Sequence, residues 1–258
     1  MRERSTVNAK IDEALAKVPE VTLVFWIVKI LSTTLGETGG DAFSMSMHLG
    51  YFIGSMIFAV VFVAAVIAQI RADRFHPLLY WATIIASTTV GTTLADFMDR
   101  SLGIGYPGGT MILFALLMMS FFAWYRSQGT VAIDSVGSPK SESFYWLTIM
   151  FSQTLGTALG DWTADTAGLG YVGGAVVFGL MLAIVALAYF RTRLLHTSLF
   201  WTAFILTRPL GAVVGDFLDK PHDQGGLALS RYAASATLLV LIVLCIFAFP
   251  QKPARRIH

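Results

Sequence analysis

Charge is scarce in this chain. Asp, Glu, Lys and Arg make up 13% of its 258 residues, against about 25% in soluble domains. Cysteine is nearly absent: Cys245 stands alone inside an apolar run. An intrachain disulfide and a cysteine-based metal site are therefore excluded. Net charge is only +2, and no run of Lys/Arg could track a phosphate backbone, so nucleic acid is not an expected partner. No nucleophile, base and oxyanion constellation points to an enzyme, and no cofactor is expected. About twenty mixed-charge residues precede the first apolar stretch, with no small-residue cleavage pattern after it, so a cleavable signal peptide is not expected.

What is abundant is apolar sequence. Hydrophobic residues make up 55% of the chain, and mean hydropathy is +0.68. Residues 50–70 hold no Asp, Glu, Lys, Arg or His over 21 positions, enough helix to cross about 30 Å of hydrocarbon. Residues 105–125, 170–190 and 232–249 contain similar runs. A soluble globular enzyme is ruled out, and the lipid bilayer is the expected environment.

The apolar runs belong to a repeat. An aromatic–Trp pair occurs four times, at Phe25-Trp26, Tyr80-Trp81, Tyr145-Trp146 and Phe200-Trp201. Ten residues after each Trp stands a glycine (Gly36, Gly91, Gly156, Gly211), and fifteen after it an aspartate (Asp41, Asp96, Asp161, Asp216). A small residue precedes each Asp, and a further glycine follows nine residues later (Gly50, Gly105, Gly170, Gly225). Copies start 55, 65 and 55 residues apart, and copies two and four share DFMDR and DFLDK. Two rounds of duplication explain this pattern.

Each copy reads as a helical hairpin whose first helix ends at the Asp and whose second is uniformly apolar. The expected fold is all-α: a polytopic membrane bundle of eight transmembrane helices, at about 21–41, 50–70, 77–97, 105–125, 144–163, 170–190, 197–217 and 230–249. Four parallel hairpins imply pseudo-symmetry along the membrane normal. The expected organisation is an N-terminal segment (1–20), a first repeat pair (21–125), a polar linker (126–143), a second pair (144–249) and a tail (250–258). Thirteen of the eighteen Lys/Arg fall in the termini and the loops between hairpins, and three in the hairpin turns. Both termini and the linker are therefore expected on the cytoplasmic side.

The four tandem two-helix units with recurrent Trp26, Trp81, Trp146 and Trp201 resemble a family of bacterial membrane proteins of unknown function built from such repeats. The resemblance spans essentially the whole chain after residue 18. It implies a bacterial inner-membrane location and no particular reaction.

The first helices hold nearly all the intramembrane polarity, so they belong inside the bundle and the apolar second helices toward lipid. Gly36-x-x-x-Gly40, Gly91-x-x-x-Ala95, Gly156-x-x-x-Gly160 and Gly211-x-x-x-Gly215 are faces on which helices pack closely. The four aspartates sit near helix C-termini, where the macrodipole disfavours a carboxylate, so capping does not explain them. In register they imply a ring that attracts cations. Hard oxygen ligands point to a divalent metal such as manganese or magnesium as a small inorganic cation substrate. Asp41, Asp96, Asp161, Asp216 and Glu37 are the candidate metal ligands, and Thr34, Thr89 and Thr154 candidate pathway hydroxyls.

Two bases break the symmetry. Lys29 is expected to snorkel toward the cytoplasm. Arg208 lies too deep for that and should pair with Glu37, while Pro209 predicts a helix break. An alternative function is a carrier of an anion or small organic solute using Arg208 and Lys29; another is a scaffold or sensor without transport. A homo-oligomer is compatible with all three. Gly103-x-Gly105-x-x-Gly108 matches a dinucleotide fingerprint literally but lacks a preceding strand, and reads as a hairpin turn. His48 and His222 lack metal-ligand spacing and read as surface histidines.

Overall fold

A computed structural model describes residues 15–191 and 196–255. Arg2, Arg4, Lys10, Arg193 and Arg256, which enter the charge argument above, lie outside the described residues. The chain is an all-α membrane protein, with eight α-helices among the described residues: α1 (Leu23–Asp41), α2 (Gly50–Arg71), α3 (Pro77–Asp96), α4 (Gly105–Gln128), α5 (Pro139–Asp161), α6 (Gly170–Arg191), α7 (His196–Asp219) and α8 (Arg231–Ala248). Six of them (α2, α3, α4, α6, α7 and α8) are long and apolar enough to cross a membrane. Two short strands, β1 (Leu15–Pro19) and β2 (Pro253–Arg255), pair antiparallel near the chain ends.

Local chemistry sets the helix boundaries. The Thr22 hydroxyl accepts from the Phe25 N–H at the start of α1, and Pro77 and Pro139 open α3 and α5, where their missing N–H costs nothing. Ser138 and Ser141 cap α5 reciprocally. At the other end, a single π-helical turn follows each of Asp41, Asp96 and Asp161. The chain then reverses through left-handed positions at Gly103 and Gly105, and at Gly168 and Gly170. Copy one makes the same turn with His48 and Gly50. The glycine fingerprint is thus a helix-to-helix turn. His48 and His222 are both exposed there.

The odd-numbered helices form a closed ring in which α1 packs on α3, α3 on α5, α5 on α7, and α7 on α1. Each even-numbered helix packs on the ring from outside. Its main partner is the inner helix of the following repeat: α2 lies on α3, α4 on α5, α6 on α7, and α8 returns to α1. The sequence hairpins are therefore open: three close antiparallel pairs, α2 with α3, α4 with α5 and α6 with α7, are consecutive across the tryptophan end, and the fourth brings the last helix back to the first. At the other end a π turn and a reversal follow α1, α3 and α5 and let the two helices of each of these repeats splay.

Exposure follows the same division. In the spans of α2, α6 and α8, 17% of residues are buried, against 72% for α3 and 61% for α7. Lipid contact with the even helices requires no polar group to be satisfied, which is why their sequences are uniformly apolar. The inner helices close on one another through their small residues. A Cβ on Gly36 would overlap Thr88, one on Gly91 would overlap Gln153, one on Gly156 would overlap Arg208, and one on Gly211 would overlap Thr33. The position seven residues after each Trp thus enters the glycine notch of the preceding repeat, all the way round the ring.

The helix break expected at Pro209 does not occur: α7 continues through it. Gly156 and Gly160 give its ring and carbonyl room against α5, and neighbouring helices can compensate the lost backbone bond.

A continuous aromatic core fills the tryptophan end. It includes Phe25, Tyr80, Trp81, Trp124, Tyr145, Trp146, Trp201 and Phe204, drawn from both halves of the chain. Trp201 Nε1 donates to the Val131 carbonyl at 2.8 Å, and the Tyr80 and Tyr145 hydroxyls meet at 2.7 Å. β1 crosses this end. Lys17 Nζ bonds the Ile70 carbonyl at 3.0 Å and Glu142 at 2.9 Å, while its N–H donates to Val136 in the linker.

Candidate functional site

The inner helices run in parallel, so residues at equal distance from their Trp share a level. At the aspartate level Asp41, Asp96, Asp161 and Asp216 are all buried, none more than 3% exposed. The structure puts them inside the protein, not in water beyond the outer rim. Two bases, each four residues past an Asp, bridge them in pairs. Lys220 Nζ lies 2.5 Å from Asp41 Oδ2 and 3.1 Å from Asp216 Oδ1, joining repeats four and one. Arg100 Nε lies 3.0 Å from Asp96 Oδ1 and its Nη2 3.2 Å from Asp161 Oδ2, joining repeats two and three. With all four aspartates ionised, two negative charges remain unmatched at this level. The side-chain oxygens Asp41 Oδ1 and Asp161 Oδ1 are buried without a hydrogen-bond partner.

The two clamps differ in their surroundings. Arg100 is flanked by the tyrosines that open α2 and α4: it donates to Tyr51 and Tyr106, and lies 5.9 Å from each ring centroid. Lys220 is more enclosed, with its neighbour Arg231 bound to Asp219 at 2.7 Å. Burial works against the Lys220 charge, but Asp216 and Asp41 outweigh it and hold the ammonium protonated well above its ordinary range.

One helical turn deeper stand Glu37, Thr92, Thr157 and Ala212, eleven residues after their tryptophans. Arg208 rises from the level below, over the Gly156 notch, into this layer. Its Nη2 reaches Glu37 Oε2 at 2.9 Å and Thr92 Oγ1 at 2.6 Å, and also bonds Thr157 Oγ1. The pairing that depth suggested for Arg208 is present. Its guanidinium thereby touches all three other inner helices. Glu37 also belongs to a group of three buried carboxylates: Glu37, Asp41 and Asp216 place ligand oxygens within 4.8 Å of one another.

Thr34, Thr89 and Thr154 are buried, but each bonds a carbonyl of its own helix: Ile30, Ile85 and Met150 at 3.0, 2.9 and 2.9 Å. The structure does not bring them to the carboxylates. The hydroxyls that reach the central charges are Thr92 and Thr157, which sequence reasoning passed over although they share the Glu37 register. Arg100 and Lys220 were visible within DFMDR and DFLDK, but nothing in the sequence indicated that each spans a junction between repeats.

Lys29 departs from expectation. It does not snorkel: the residue is fully buried, with Nζ 4.1 Å from the centroid of the Phe204 ring. The aromatic core and β1 lie between its level and the tryptophan-end surface, so the side chain has no short route to water.

These features define a class: a membrane bundle of four cyclically arranged two-helix repeats enclosing a buried charged centre. The sequence model of the Repeat of Unknown Function (DUF347) matches four times, at residues 24–75, 79–130, 144–194 and 199–249. The chain belongs to this repeat family. No curated protein and no solved structure matches it significantly.

Proposed function

We propose that the protein is an integral membrane transporter of a small cation, a divalent metal ion such as manganese or magnesium. The observation that carries this reading is the three-carboxylate group of Glu37, Asp41 and Asp216, within 4.8 Å and built across the junction of repeats one and four. Carboxylate oxygens in this number suit a hard divalent ion. The Asp41–Lys220–Asp216 clamp has one unmatched negative charge, and two once Lys220 leaves, which match those of the ion.

Lys220 acts here as a tethered substitute for the ion. Its ammonium holds Asp41 and Asp216 together when the metal is away, and an arriving divalent ion displaces it toward the turn it begins. The Arg208–Glu37 pair bars the path one turn deeper, and the aromatic core closes the far end. Passage requires Arg208 to release Thr92 and Thr157. The transporter resides in a bacterial inner membrane with the basic tryptophan end facing the cytoplasm.

The test is uptake of radioactive manganese into proteoliposomes, with magnesium as competitor. Asp41→Asn and Asp216→Asn each lower uptake at least tenfold at unchanged protein content. Unaltered uptake in both variants overturns the reading. If metal flux is unaffected while Arg208→Gln abolishes the flux of an anion, anion transport replaces it.

A further inference from the structure

Beneath the Arg208–Glu37 pair lies a second group of polar and charged side chains that the proposed metal site leaves unused. Lys29 on α1 stands three residues after its Trp, and Arg208 on the adjacent α7 stands seven after its own, one turn nearer the aspartate end. Lys29 Nζ is buried and has no hydrogen-bond partner. The Phe204 ring beside it, one turn before Arg208, offers only the partial compensation of a cation–π contact. Arg208 spends Nη2 on Glu37, Thr92 and Thr157, all toward the aspartate end, and leaves its buried Nε and Nη1 without partners.

The levels between them contain further unused donors. Ser87 and Thr207 bond back to Ile84 and Phe204 of their own helices at 2.7 Å each. Ser32 and Ser152, at the same register in the other two repeats, are buried with hydroxyls that bond nothing. Gln153 Oε1 at the Arg208 level is also without a partner, but it is neutral and leaves the charge in place. Arg208 and a protonated Lys29 set against one carboxylate, Glu37, would leave a single positive charge uncompensated. Buried in a membrane bundle, that charge is strongly unfavourable.

We propose that a small monovalent inorganic anion of the size of chloride binds between the Lys29 ammonium and the Arg208 Nε/Nη1 edge, with Ser32 and Ser152 donating to it. The anion neutralises the centre and takes up the donors left over at three successive levels. The close contacts at Gly156 and Gly211 bring α5 to α7 and α7 to α1 alongside this centre. This site shares Arg208 with the proposed transport path but uses a different edge of its guanidinium and none of the aspartates.

The experiment uses full-length protein purified in chelator-containing, halide-free gluconate buffer. Equilibrium dialysis against radioactive chloride should show saturable binding of one ion per chain, competed by bromide and nitrate and unaffected by gluconate. In a parallel titration at constant ionic strength, chloride should raise the thermal unfolding midpoint. Lys29→Met should shift the chloride concentration for half-effect at least tenfold upward, and Lys29→Arg should keep it within a few-fold. No saturable chloride binding to the wild-type protein overturns the proposal, whether the centre holds water or an uncharged Lys29. Undiminished binding in folded Lys29→Met overturns it equally. If that variant fails to fold, wild-type dialysis decides. Metal uptake that fails while chloride binds, or the reverse, separates this site from the one above.

Discussion

The two ends of the inner ring are made from one repeated helix, yet they obey different symmetries. At the tryptophan end the copies agree: an aromatic–Trp pair from each repeat enters one packed core. At the aspartate end the copies agree only on the carboxylate. Four residues further on, repeats two and four carry Arg100 and Lys220, where repeats one and three carry Met45 and Asp165. Packing tolerates fourfold repetition because apolar contacts need no complement of opposite sign. A ring of four buried carboxylates does not. Placing a base in alternate repeats lets each span two aspartates, so the charged end is twofold while the packed end stays fourfold.

That contrast predicts that damage depends on which rule is broken. The largest effect is expected from Arg208→Met. Removing one partner of a buried ion pair costs roughly 3–5 kcal/mol, and here it strands Glu37 beside Asp41 and Asp216. Adding Glu37→Gln should recover a large part of the loss, read as a double-mutant cycle of unfolding free energies in detergent. Additive destabilisation would mean that the pair does not couple.

A smaller effect tests the packing rule. Gly36→Val forces a side chain into Thr88 and should cost about 1–3 kcal/mol, eased by Thr88→Ala. Gly179 on the outer helix α6 has open space beside it. Gly179→Ala should be neutral, or stabilising by up to about 1 kcal/mol through helix propensity. Equal penalties at the two glycines would remove the distinction between inner and outer helices. Among the destabilising changes the smallest is Tyr80→Phe, which deletes the hydroxyl contact to Tyr145 within the aromatic core. It should lower stability by about 1 kcal/mol and leave manganese uptake unchanged. A transport defect would place function at the tryptophan end.

Much of this architecture was readable in advance. Trp-to-Asp spacing identified the inner helices, the apolar runs identified the outer ones, and depth alone nominated Glu37 as the partner of Arg208. What escaped notice shares one feature. Arg100 and Lys220 matter because each reaches an Asp of a neighbouring repeat. Thr92 and Thr157 matter because Arg208 reaches across from α7. Lys29 stands near the tryptophan end by spacing, yet the aromatic core and β1 close its route to water.

The division has a geometric origin. A helix advances about 1.5 Å per residue whatever surrounds it, so the register of each repeat assigns every side chain to a level before any packing is known. Aspartates share one layer, Glu37 and the threonines the next, and Lys29 a deeper one, on spacing alone. Lateral neighbours follow no such rule. They depend on small residues admitting the next helix, on outer helices passing over to the following repeat, and on α8 returning to α1. Folding therefore chose which charges meet, which acid keeps which base, and why a lysine in the membrane interior was left without one.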